Sequence, residues 1–414
     1  MSGYPGDFPR GDSGAISSAA AVVTAVRRAG GASRVDVAEL TGLSKAVVSE
    51  RVRTLIDAGL LEEAGEGTST GGRRATRLRM QSGIGVVMAV EIAMTHVRVS
   101  TVNLAGELMA SETLDVSMHQ GPDSVLRSLE EAIERQLEAV EHGAVCGIGV
   151  GVAGPVEFST GRTVHPPVHP DWHDQPVRDR LAVRFGVPVW VDNEVNLMAL
   201  AEQQLGAGAG STDSLVVKIG SWVGAGLISN GRLHRGAQGS AGSLVTNAGG
   251  DDIARQAELL ALSGQSAALT QAAEQGRPLT SQLVAELAQL GDQECRQLLD
   301  EAAENIGRVM SVVVDFFNPA IVVVAGGVTS GGDSFLARIR ETVYGRSLAL
   351  ATRDLRIVRS ELGPDAAILG AAIMAVDELT SAANLSETLT RLSGRAQLHQ
   401  ASSLSASSAT GDAR

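Results

Sequence analysis

Apolar positions change rhythm along the chain, and the change divides it. Between residues 15 and 28, Ile16, Ala19, Val23 and Val26 fall on one face at helical spacing, which predicts an amphipathic helix. The next stretch, VDVAELTGLSKAVVSERVRTLIDAGLL, reads as a short helix, a tight turn at Thr41-Gly42-Leu43, and a longer helix capped by Ser44 and closed by Gly59. In the longer helix Val48, Val52, Leu55 and Ile56 form one apolar stripe. Lys45, Ser49 and Arg53 share a different face, so they can meet a groove together. EEAGEGTSTGGRRATRLRM then predicts a glycine-rich turn carrying Arg73 and Arg74, followed by a strand in which Arg77 and Arg79 face away from Leu78 and Met80. A helix, a helix-turn-helix and a basic β-wing in this order predict a winged helix-turn-helix with Lys45, Ser49, Arg53, Arg73 and Arg74 as its DNA contacts.

From Gly83 the pattern becomes glycine-punctuated and β-branched. GIGVVMAVEIA, HVRVSTVNL and GELMASETLDV predict a three-stranded meander turning at Asn103-Leu104-Ala105-Gly106. A helix from about Pro122, the strand CGIGVGVAG, an irregular Pro/His segment and the strand VPVWVDN follow. SLVVKIG, VGAGLISN and GRLHRG then read as a second meander, which makes an internal duplication the expectation. Helices dominate from about Asp251 to Phe317, and the alternation ends in the strands IVVVAGG and LRIVRS and the helix AAILGAAIMAVDEL.

Charge separates the same two regions. The chain of 414 residues has a formal net charge of -13, yet residues 1–80 hold 11 Lys+Arg against 9 Asp+Glu, and the remainder holds 23 against 38. A mildly basic module is joined to an acidic body, which excludes a surface that coats nucleic acid throughout. Hydrophobic residues at 44% suffice for sizeable cores. Cys146 and Cys295 are distant and have no CxxC or His-spaced partner, which fits a reducing cytoplasm and no thiolate metal site. The Gly/Pro-rich start has no apolar signal core, and MSVVVDFFNPAIVVVAGG is interrupted by Asp315 and Pro319, so no membrane segment is expected.

One motif carries candidate chemistry. VDNEVN, residues 191–196, ends an apolar strand on acids and amides, the usual way of delivering polar groups to a cleft. With STGGRR (Ser69 to Arg74), GVGVAGPVEFSTGR (Gly149 to Arg162), GAGLISNGRLHRGAQGSAG (Gly224 to Gly242), NPAIVVVAGGV (Asn318 to Val328) and LGAAIMA, it resembles the ROK family of repressors, open reading frames and kinases, in its transcriptional-regulator branch. The resemblance covers about Ala15 to Leu379. It implies a winged helix-turn-helix ahead of a duplicated, two-lobed α/β sugar-kinase-like body of the actin/hexokinase type.

Against the family's kinases, several motifs are altered. The first phosphate loop, D-x-G-G-T in the family, is Glu91-Ile92-Ala93-Met94-Thr95, and the second, G-T-G-x-G-A-G, is Gly220-Ser221-Trp222-Val223-Gly224-Ala225-Gly226. Glycine lets backbone N–H groups approach phosphate closely, so Met94 and Trp222 obstruct ATP. The base-bearing E-N-D-x-N becomes Asp192-Asn193-Glu194-Val195-Asn196, placing Glu194 at the position of the base. G-E-x-G-H becomes Gly242-Ser243-Leu244-Val245-Thr246, and the cysteine cluster that follows in the family is missing, so neither a zinc site nor its sugar-binding glutamate is expected. Trp172 matches a tryptophan common in the family, whereas Val168 stands where asparagine is common; His165, His169 and His173, broken up by Pro166, Pro167 and Pro170, read as a loop at the cleft mouth.

The domains expected are an arm at 1–14, a DNA-binding domain at 15–81, a two-lobed body at 83–380 and a Ser/Ala-rich tail at 381–414. The function expected is a cytoplasmic, homodimeric or homotetrameric DNA-binding regulator, a repressor without catalytic residues, metal or cofactor, in which Asn193 and Glu194 hold a sugar or sugar derivative. A DNA-tethered sugar kinase and a regulator controlled by a protein partner are the rivals.

Overall fold

A computed structural model describes residues 13–66, 76–139, 145–166, 169–244, 247–328 and 333–392. The N-terminal module comprises α1 (Ser13–Arg28), β1 (Ala32–Ser33), α2 (Arg34–Thr41), α3 (Lys45–Asp57), β2 (Leu61–Glu66) and β3 (Thr76–Met80). Ser33 and Asp36 form a reciprocal capping box at the start of α2, and Ser44 caps α3 by accepting from Val47 N. Gly42 turns the chain between these helices at φ 70°, a left-handed conformation that costs glycine little. Val48, Val52 and Leu55 are fully buried, as their spacing predicts. In β3, Leu78 and Met80 point inward while Arg77 and Arg79 are exposed.

The first lobe contains β4 (Val86–Ile92), β5 (Val97–Asn103), β6 (Leu108–Leu114), α4 (Pro122–Glu138), β7 (Val145–Val152), the short pair β8 (Val156–Glu157) and β9 (Arg162–Thr163), α5 (Val177–Phe185), β10 (Val189–Asn193) and α6 (Glu194–Leu205). The second contains β11 (Ser214–Ile219), β12 (Val223–Ser229), β13 (Arg232–Leu233), α7 (Gly250–Leu262), α8 (Ala267–Glu274), α9 (Ser281–Leu290), α10 (Gln293–Phe317), β14 (Ile321–Ala325), α11 (Asp333–Arg346), α12 (Ala349–Thr352), β15 (Arg356–Arg359) and α13 (Ala366–Leu379). The two main sheets have the orders β6-β5-β4-β7-β10 and β13-β12-β11-β14-β15. Each is an antiparallel meander followed by two strands in parallel, so the duplication anticipated from the two meanders extends to whole lobes.

Helices α6 and α13 lie between the sheets. Leu197 and Ala371 share a cluster with Val87 and Ala89 of β4, while Met198 and Ala367 share one with Val216 of β11 and Val323 of β14. The two helices touch backbone to backbone: a Cβ on Gly370 would collide with the carbonyl of Leu197. Glycine at 370 is therefore a condition of the packing.

The cluster containing α13 also contains Ala19, Val23 and Val26 of α1, so the DNA module and the body share a core. Residues 385–392 are helical, and Leu385, Leu389 and Leu392 are buried in that same cluster. Three leucines at helical spacing thus seat the first part of the region expected as a Ser/Ala-rich tail against the body. Residues 1–12 and 393–414, where the arm and the rest of the tail are expected, lie outside the described residues.

Candidate functional site

Two surfaces collect the predicted residues. The first is the outer face of α3, where Lys45, Ser49 and Arg53 are all exposed. The side chains of the three form no hydrogen bond or ion pair among the described residues. Their neighbours are committed: Arg34 pairs with Glu63 at 2.8 Å, and Arg79 pairs with Glu62. Arg77 donates to the carbonyl of Gly31 at 2.6 Å. Arg73 and Arg74 fall outside the described residues.

The second surface is a cleft of about 650 Å³ between the lobes. The first lobe contributes the turn after β4, with Met94 and His96; α6 contributes its N-terminus, and the second lobe contributes Lys218 of β11 and Trp222. Met94 and Trp222 thus both line the cleft, and Trp222 is about half exposed there.

At the head of α6 most polar groups of the motif are paired, to a degree its sequence does not reveal, with Asn196 Oδ1 the exception. Asn193 is the N-cap: its Oδ1 accepts from Val195 N at 2.8 Å, and its Nδ2 donates to the Gly154 carbonyl at 2.7 Å. Glu194 is buried and accepts from Lys218 Nζ at 2.6 Å. Burial alone would lower the proton affinity of Lys218, but Glu194 and Glu91 outweigh it and hold the ammonium above its ordinary range. Asp192 is buried, accepting from Asn196 Nδ2 at 2.8 Å and pairing with Arg235 at 2.7 Å; that guanidinium stacks over Phe158 at 3.9 Å.

The Pro/His segment is a loop, as its prolines require, but a firmly anchored one. Trp172 is fully buried and donates from Nε1 to the Met118 carbonyl at 3.1 Å, so it holds the loop rather than lining the cleft. His165 and His173 stack with ring centroids 3.6 Å apart, and His169 lines the cleft. Val168, Val245 and Thr246 lie outside the described residues. Ser243, in the altered G-E-x-G-H segment, donates to the Ser240 carbonyl at 3.2 Å, and Gly242-Ser243-Leu244 supply no zinc ligand. No group of three or more His, Cys, Asp or Glu among the described residues is arranged to hold a metal ion. No helix among them is long and apolar enough to cross a membrane.

At its far end α6 reaches the DNA module. Gln204 accepts from Arg27 Nη1 of α1 at 3.2 Å, and Asp377 of α13 forms an ion pair with the same guanidinium. Sequence reasoning missed this joint, as it missed Lys218; neither carries a local signature.

A winged helix-turn-helix packed onto a duplicated, sugar-kinase-like body defines a DNA-binding transcriptional regulator. The chain belongs to the ROK family, whose pattern matches residues 87–378, while a winged helix-turn-helix DNA-binding pattern matches residues 21–62. It is 28% identical over 370 residues to the xylose repressor of Caldicellulosiruptor bescii, covering 84% of this chain and 92% of that one. It is 27% identical over 306 residues to the glucokinase of Thermotoga maritima, covering 69% of this chain and 96% of that one. The crystal structure of a ROK family transcriptional regulator, a homologue of the Escherichia coli MLC protein, superposes with a TM-score of 0.77 at 22% identity, covering 92% of this chain and all of that one, and shares its fold.

Proposed function

We propose that the chain is a repressor that binds operator DNA through α3 and a basic wing and senses a sugar-like ligand in the interlobe cleft without phosphorylating it. Lys45, Ser49 and Arg53 would enter the major groove, with Arg73 and Arg74 on phosphates or a narrow minor groove. A homodimer or homotetramer would present two such modules to a roughly palindromic operator.

The observation that carries the non-enzymatic reading is the 2.6 Å contact between Glu194 and Lys218. A general base must be free to take a proton from substrate, and this carboxylate is already held by an ammonium. Met94 and Trp222, which line the same cleft, add to that reading by standing where a nucleotide's phosphates would need bare backbone. The xylose repressor relative supports regulation by a sugar. Lobe closure on such a ligand would act on α6 at its head and reach α1 through Gln204 and Arg27.

Replacing Arg53 and Arg73 together by alanine is expected to weaken operator binding and lower its salt dependence; an unchanged gel-shift titration would sink the DNA-contact assignment. The likeness to a glucokinase favours one rival, a DNA-tethered sugar kinase. A coupled ATP-consumption assay across hexoses decides it: sustained turnover that disappears in Glu194→Gln would replace the sensor with an enzyme.

A further inference from the structure

Buried polar atoms without partners are costly, on the order of 1–3 kcal/mol each, so a fold that retains them usually completes them with something outside the chain. Two such atoms, His169 Nε2 and Asn196 Oδ1, belong to residues lining the interlobe cleft. A third, Glu91 Oε2, lies 3.7 Å from His96, which lines it as well. Of the nine unpartnered buried polar atoms among the described residues, these three lie in or beside the cleft, where a ligand could satisfy them.

His169 is the most constrained of the three. It is 6% exposed, and its ring meets that of His119 edge to face at 4.5 Å. Directly after it the loop is fixed by buried Trp172, whose backbone N donates to the His169 carbonyl at 3.0 Å. The imidazole is therefore kept from turning out into water. Its Nδ1 lies 4.0 Å from Asp171, too far for a direct hydrogen bond, so that carboxylate does not complete it. His169, carried by the Pro/His loop, is one of the residues that line the cleft.

We propose that His169 contacts the ligand of the cleft directly, its unpartnered ring nitrogen exchanging a hydrogen bond with a hydroxyl of a neutral, hydroxyl-rich molecule. A neutral imidazole has one donor and one acceptor nitrogen, and a hydroxyl can serve either. Lys218, the lysine of the cleft wall, is engaged by Glu194, which leaves a phosphorylated ligand without a free ammonium there. This inference rests on the cleft being the sensing site.

The test is calorimetric titration of the full chain with D-xylose and with D-glucose, in the wild type, His169→Leu and His169→Gln. Losing one hydrogen bond to the ligand should weaken binding about tenfold in the leucine variant, while glutamine, whose amide reaches near the position of Nε2, should restore most of it. Both variants should keep the wild-type unfolding midpoint to within a few degrees. If the wild type binds neither sugar, the sugar-sensing reading fails and this inference goes with it. If the wild type binds and His169→Leu binds equally well, the inference alone is overturned. Should the leucine variant not fold, ¹⁵N spectra of the wild-type imidazoles decide, with the His169 resonance identified by its absence from the glutamine variant. That resonance must move when sugar is added, and an unmoved resonance overturns the proposal.

Discussion

At the scale of single residues, the cleft is shaped by who pairs with whom. Glu194 and Lys218 form a largely buried ion pair at 2.6 Å, so removing one partner strands the other's charge. Lys218→Met is expected to destabilise the fold by about 3–5 kcal/mol in urea unfolding, and adding Glu194→Gln to it should recover much of the loss. A single variant as stable as the double would contradict a paired state. His169 gives a prediction with pH. Burial foremost, then neighbouring His119, lowers its proton affinity below the ordinary value of 6.5, against opposing contributions from Asp171 and Asp251. Above that value neither the folded nor the unfolded ring carries the proton, and the histidine leaves stability unchanged. Below it the unfolded chain takes the proton first, so stability falls with pH until the folded ring also titrates. Melting temperatures of the wild type should therefore drop more steeply than those of His169→Gln between about pH 7 and 5; parallel curves would show that His169 titrates alike in both states.

At the scale of elements, α6 joins the cleft to the DNA module. Its 12 residues span about 18 Å, with Glu194 in the cleft at one end and Gln204 against Arg27 of the DNA module at the other. If the joint carries the proposed sugar signal without touching DNA, Gln204→Ala should leave operator affinity without ligand within about threefold of wild type while shrinking the change that a bound sugar produces. Gel shifts with and without sugar measure both quantities, and an undiminished sugar response would remove α6 from the route. Elements such as these were legible where their cause is local. The stripe of Val48, Val52 and Leu55, the cap at Ser44 and the two meanders are all written in short-range spacing. The joint was not, since Gln204 and Asp377 are 173 positions apart and each reads alone as a surface polar residue. Lys218 was hidden for a similar reason: one lysine in an apolar strand looks like an edge position until Glu194 is placed opposite it. The prolines around His169 foretold a loop but could not foretell its burial, which depends on Trp172 reaching Met118.

At the scale of the molecule, charge and symmetry govern how the module meets DNA. The excess of acid beyond residue 80 should repel the duplex from the body and leave the α3 face as the point of approach. Operator affinity is thus expected to fall steeply with salt, with a slope that reports the number of phosphates engaged. Footprinting should reveal two protected half-sites in inverted orientation, with centres about one or more helical turns apart. A single protected half-site, together with a monomer in sedimentation, would exclude the dimer.

The shared core of the DNA module and the chain's last described helical residues has a consequence for how the protein is made. Val23 and Val26 emerge from the ribosome early, yet the cluster they enter also contains Met374, Leu385 and Leu392. At about 5–20 residues per second, the module must wait on the order of tens of seconds for the surface that receives it. A nascent chain would carry a helix-turn-helix with an uncovered apolar flank throughout that interval. Docking of α1 therefore reports that translation has passed through α13 and the leucines beyond it, and a prematurely terminated product would lack the seat from which this regulator engages DNA.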